Sequence, residues 1–182
     1  MHFLTSSMAK LCHDTNGRPV IKILSRLPSR RLKSVGEQSD SGSTVSFVIV
    51  SVSNCVALTN TYLYHLLRAP QPTGEMLPNS FIEHVAAMHS ISLRTGCMCN
   101  PGGAAALLGI QKVMDSLCNG ATLREVEARV GRELGVVRVS LGIGSDWGDV
   151  WRVIQFLEGF GNERRCVAWW NAWRQVSIGQ AV

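Results

Sequence analysis

Residues 94–103 read RTGCMCNPGG, and the helix-forming run Ala104–Leu108 follows at once. Cys97 and Cys99 stand one residue apart within it. Asn100 is a preferred helix N-cap, and Pro101 suits the first helical position, where the amide that proline lacks has no partner anyway. Cys99 is thereby predicted just before a helix N-terminus, where free amides and the helix dipole favour an anion. A thiol there loses its proton more easily, and the thiolate is the nucleophile. Arg94 adds a cation nearby in sequence. The stretch predicts a seat for a reactive cysteine.

Three plainer readings compete with that one. Free cysteine is often simply buried in a core. A metal ion would need Cys97, Cys99, His84 and His89 together, and C-x-C without a second pair at ligand spacing is a weak zinc signal. A disulfide between Cys97 and Cys99 would close a very small, strained ring. On local sequence the reactive and the inert readings stand level, with metal binding behind both.

Outward from the loop, helix and strand signals alternate. Asn79 or Ser80 is placed to cap a helix whose apolar positions Phe81, Val85 and Met88 recur at helical spacing. Ile91–Leu93 reads as a short strand leading into the cysteines. Thr122 and Glu125 form a capping-box pattern. It opens a helix with Leu123, Val126, Val130 and Leu134 on one face, stopped by Gly135. Val136–Leu141 reads as a strand. Ser145 or Asp146 then caps a helix with Trp147, Val150, Ile154 and Leu157 inward, ending near Gly159 and Gly161. Upstream, Val20–Leu24 and Thr44–Val50 are β-rich runs, the first after the turn signal Asn16-Gly17. Leu27–Ser43 reads as a loop, and Ala69–Asn79, with three prolines and a glycine, as a turn or linker. The expected architecture is an α/β chain built as an α+β sandwich.

With 182 residues, 46% hydrophobic and 17% charged, the chain has the makings of a core and one domain. The net charge of +5 is concentrated in Arg26, Arg30, Arg31 and Lys33. Without interleaved aromatics that cluster reads as a solvated loop, and no nucleic-acid partner is expected. Six scattered cysteines and an N-terminus too short and polar for a signal peptide point to reduced thiols in the cytoplasm. From Ser41 to Leu67 only His65 is ionisable, but Ser, Thr and Asn interrupt the run, so a membrane span is not expected.

The stretch ISLRTGCMCNPGG at 91–103 resembles the cysteine loop of eukaryotic molybdenum cofactor sulfurases, in their class V aminotransferase-fold domain. The segment Pro78-Asn79-Ser80-Phe81-Ile82-Glu83 is similar to the helix before that loop. The segment GVVRVSLG at 135–142, then Ser145–Leu157, is similar to the strand and final helix after it. Asn16–Pro19 and the following strand resemble the start of the same small domain. The likeness runs from about His13 to Gly159, with gaps. It implies a poorly defined segment 1–12, a small C-terminal domain of a fold type I aminotransferase at 13–160, and a Trp-rich tail at 161–182. The domain would carry an atypical insertion at about 51–71.

The resemblance implies a pyridoxal phosphate enzyme that takes sulfur from L-cysteine, holds it as a cysteine persulfide and passes it to the molybdenum cofactor. Cys99 takes the place of the persulfide-forming cysteine, with Cys97 as an accessory. Arg138 matches the arginine that binds the substrate carboxylate, and Arg94 one near the same site. This chain departs from the family at the cofactor. Lys10, Lys22, Lys33 and Lys112 are its only lysines, and none stands in a setting like the family's Schiff-base lysine. That residue belongs to a large domain absent here, so a separate large-domain chain or a dimer partner is implied. An incomplete chain, inactive alone, is expected. The alternatives are a non-catalytic interaction module derived from the fold, and a cysteine desulfurase or selenocysteine lyase fragment.

Overall fold

A computed structural model of the protein describes residues 1–34, 37–51, 76–96 and 101–179. Cys97, Cys99 and Asn100 lie outside them, as does most of the segment 51–71. The elements are α1 (His2–Met8), β1 (Ile21–Ile23), β2 (Thr44–Ile49), α2 (Asn79–Met88), α3 (Pro101–Leu108), α4 (Gln111–Asp115), α5 (Leu123–Val130), β3 (Val137–Ser140), α6 (Trp147–Gly161) and α7 (Glu163–Gly179).

The β-branched runs pair as an antiparallel sheet in the order β1-β2-β3. Ile21 faces Ile49 across β1–β2, and Ser46 faces Arg138 across β2–β3. Side chains alternate between faces along a strand, so this register sorts them cleanly. Ile21, Val45, Phe47, Ile49, Val137 and Val139 share one face and are all buried. The other face carries Lys22, Thr44, Ser46, Val48, Arg138 and Ser140, of which Ser46 and Val48 on the central strand are buried too, and Thr44 and Ser140 are joined hydroxyl to hydroxyl at 2.8 Å.

Helices α1, α2, α6 and α7 cover the apolar face with Leu4, Met8, Phe81, Val85, Ile154, Leu157, Phe160 and Trp170. Each such side chain contributes roughly 1.5–3 kcal/mol on leaving water. Phe81 sits at the centre, edge-on to Phe160 at 5.9 Å and to Trp170 at 4.9 Å. The molecule is thus a mixed α/β protein in which a small sheet is covered by helices on one side. Residues 1–12 carry α1, and the Trp-rich residues after Gly161 form α7, which buries Cys166, Trp169 and Trp170 in the same core. A second, smaller cluster joins α3, α4 and α5 through Ala105, Ile110, Val126, Val130 and Leu134.

Several local expectations need correction. Met88 and Trp147, expected inward, are 57% and 69% exposed, and Leu123 is exposed as well. Helix α5 stops at Gly131, which is left-handed at φ 73°, so Leu134 is buried from the following loop. Ile91–Leu93 forms no strand, and only Arg94 bridges to the sheet. Neither Asn79 nor Ser80 caps α2, because Pro78 precedes a helix that already includes both. Glu133 does that work from outside, accepting from the Ser80 amide at 2.9 Å and from the Ser80 hydroxyl.

The capping box at Thr122–Glu125 forms as the sequence predicts, and of the two caps offered for α6 it is Asp146 that serves, in a box with Asp149. Thr122 and Glu125 exchange bonds at the start of α5, and Asp146 and Asp149 at the start of α6. Among the described residues no helix is long and apolar enough to cross a membrane.

Candidate functional site

The approach to the cysteines is held from three sides. Arg94 pairs with Arg138 as an isolated antiparallel bridge on the free edge of β3, donating to the Arg138 carbonyl at 3.0 Å and accepting its amide at 2.7 Å. The Thr95 hydroxyl donates to the Glu83 carboxylate on α2. The Gly96 carbonyl accepts from the Val136 amide at 3.1 Å. Residues 94–96 are therefore fixed to both the sheet and the helix in front of it.

Two glycines make this approach possible. Gly135 has φ +135°, and a Cβ there would lie 2.6 Å from the Gly96 Cα and 2.9 Å from the Asn79 side-chain nitrogen. Gly96 itself has φ +98°. Backbone meets backbone here, which only glycine allows. Asn79 stands over the same contact, its amide 3.4 Å from the Leu134 carbonyl. On the far side of the cysteines, α3 begins at Pro101, in agreement with the expected helix start, and buries Ala104 and Ala105. The described segments on either side of residues 97–100 are thus anchored, one to the sheet edge and the other to the small α3–α5 cluster.

Arg94 and Arg138 are directly opposed and exchange both backbone hydrogen bonds, so their side chains leave the same face of the sheet. Opposed residues bring their Cβ atoms to about 5 Å, and like charges so placed repel. Among the described residues neither guanidinium has a carboxylate partner. The Arg138 Nε is buried and without a hydrogen-bond partner among the described residues. Two unbalanced cations on one face can hold a carboxylate, and a guanidinium fork does so through two parallel bonds.

The other candidates do not gather here. Among the described residues no group of three or more His, Cys, Asp or Glu side chains is placed to hold a metal ion. The His89 ring lies against Trp169 and Phe156 instead. All four lysines are exposed. Lys22 is on β1, separated from Arg138 by the whole of β2. The basic residues Arg26, Arg30, Arg31 and Lys33 are exposed, as a solvated loop should be. Asp40 closes that loop by accepting from the Ser29 side chain and from the Ser29 amide at 3.0 Å, which together hold its carboxyl below the usual range.

Sequence reasoning named the two arginines as candidates and Gly135 only as a helix stop, and it did not anticipate the contacts of Glu83 and Glu133. Gly135 carried a usable signal, since a glycine directly before a strand often marks a close backbone approach. Glu83 and Glu133 act through contacts 12 and 53 residues away in sequence, which no local pattern encodes.

No family model matches the chain, and no solved structure matches it. Curated proteins do. A molybdenum cofactor sulfurase of Neurospora crassa is 35% identical over 82 residues, 43% of this chain and 9% of the relative. One of Aspergillus terreus is 36% identical over 97 residues, 52% of this chain and 12% of the relative. One of Solanum lycopersicum is 34% identical over 92 residues, 48% of this chain and 11% of the relative. The matched stretch spans only about a tenth of the length of these proteins.

Proposed function

We propose that the chain carries the sulfur-accepting half of a site of the molybdenum cofactor sulfurase kind, within a small domain of the class V aminotransferase type. Cys99 is the acceptor, as in the resemblance that its loop bears, and Cys97 stands as an accessory beside it. Arg138, aided by Arg94, receives the carboxylate of L-cysteine. The acceptor takes the sulfur of that substrate as a persulfide, leaves alanine, and hands the sulfur to the molybdenum cofactor. The observation that carries this reading is the opposed Arg94–Arg138 pair at the head of the cysteine loop, two cations lacking an acid among the described residues.

Pyridoxal phosphate is held in such enzymes through a Schiff-base lysine. The residues described here do not fit it. All four lysines are exposed and none stands beside the arginine pair. The cofactor's chemistry therefore has to come from outside these 182 residues, on a large-domain chain or a dimer partner. The same lysine pattern favours one second reading, an interaction module that keeps the fold without the reaction. A cysteine desulfurase or selenocysteine lyase fragment would use the same half-site with another acceptor.

Alanine release separates these readings. The purified chain given pyridoxal phosphate and L-cysteine is expected to release none. Mixed with a cofactor-binding large domain it is expected to do so, with Arg138→Ala lowering the rate at least tenfold, roughly the loss of one charged hydrogen bond. Release by the chain alone would contradict the half-site, and no release in the mixture would favour the module.

A further inference from the structure

We propose that a cleft between α6, α7 and the segment that follows α2 binds a small aromatic carboxylate. The cleft has a volume of about 290 Å³ and is lined by His89, Ile91, Arg152, Gln155, Phe156, Arg165 and Trp169. That size is near the lower end of the range for ligand clefts and suits a single ring with one acidic group.

Helical spacing builds it. Arg152, Gln155, Phe156 and Gly159 fall on one face of α6, while Arg165 and Trp169 face them from successive turns of α7. The floor is rigid. A Cβ at Gly159 would lie 2.2 Å from the Trp169 ring, so the indole rests directly on bare backbone. The His89 ring meets Trp169 at 5.2 Å and 74°, and Phe156 at 6.1 Å and 60°. Edge-to-face packing of this kind is what a further ring would extend.

The rim is cationic. The Arg165 guanidinium stands 6.0 Å from the centre of the Trp169 ring. Among the described residues neither Arg152 nor Arg165 is paired with a carboxylate. Two guanidiniums from two helices converge on an aromatic floor that is only 9% exposed at Trp169. A planar carboxylate meets the guanidinium fork in two parallel bonds, and its ring takes the floor. The cleft is separate from the Arg94–Arg138 pair, and its ligand does not depend on the sulfur-transfer reading.

Benzoate titrated into the full chain tests this by the shift of the Trp169 indole resonance. Saturable binding is expected, weakened at least tenfold by Arg152→Ala and at least tenfold for neutral benzamide. Inorganic phosphate should compete poorly. Circular dichroism of the variant checks that this exposed substitution leaves the fold intact. No saturation with benzoate, equal binding of benzamide, or phosphate binding as tightly as benzoate would each overturn the proposal.

Discussion

Gly135 marks the closest backbone approach at the candidate site. Gly135→Ala would drive a Cβ to 2.6 Å from the Gly96 Cα at a φ of +135°, where side chains are strained. The expected loss is about 2 kcal/mol, in the range of a residue forced into an unfavourable backbone region, read from the urea midpoint. His13 is a second sensitive position. It is buried, and its Nε2 donates to the Val50 carbonyl at 2.9 Å, which leaves Nδ1 without a partner among the described residues. Burial lowers its pKa below 6.5, against smaller upward effects from that hydrogen bond and from Asp14. The folded state thus binds this proton less readily than the unfolded state does. Stability from this group is complete above pH 6.5, falls as pH drops through that value, and levels off below the folded pKa. His13→Gln, which keeps a donor for Val50, should flatten the fall of the urea midpoint as pH drops through 6.5. An unchanged slope in that variant would show that another group titrates there.

At the scale of elements, what lay close in sequence was legible and what lay far was not. The box Thr122–Glu125 and the cap at Asp146 were readable because each closes within one turn. Strands β1, β2 and β3 were readable from β-branched runs within a residue or two of their ends. Ile91–Leu93 looked equally strand-like, but a strand needs a partner edge, and only Arg94 reaches β3. Trp147 and Met88 fitted the helical period yet sit at helix ends, where the core face has already turned away. The arginines of the site were visible, but their direct opposition depended on pairing 44 residues apart. Helix α7 was not read as a helix, since its tryptophans gave no clear period and its role is set by the Phe81 ring it meets. Trp170→Ala should cost about 3–5 kcal/mol, the usual loss for a buried aromatic, measured by thermal or urea unfolding. A loss under about 1 kcal/mol would mean that α7 only rests on the core.

For the whole molecule, the central feature is the sheet edge at residues 94–96, where two opposed arginines stand just before the cysteines in sequence. Residues 94–96 are held to that edge by backbone hydrogen bonds, while the lysines are exposed. The molybdenum cofactor sulfurases it resembles are far longer, and the matched stretch spans only about a tenth of their length. One measurement tests the account most directly. The chain is treated with a limiting inorganic polysulfide, alkylated, and digested, and the added sulfur is located by mass spectrometry. Attack by a thiolate on the polysulfide transfers one sulfur and leaves a polysulfide one sulfur shorter. The account predicts that Cys99 carries most of the persulfide, ahead of the exposed Cys12 and Cys118, and that Cys99→Ser abolishes the dominant signal. Sulfur spread evenly over Cys12, Cys118 and the loop, or unchanged by Cys99→Ser, would contradict it.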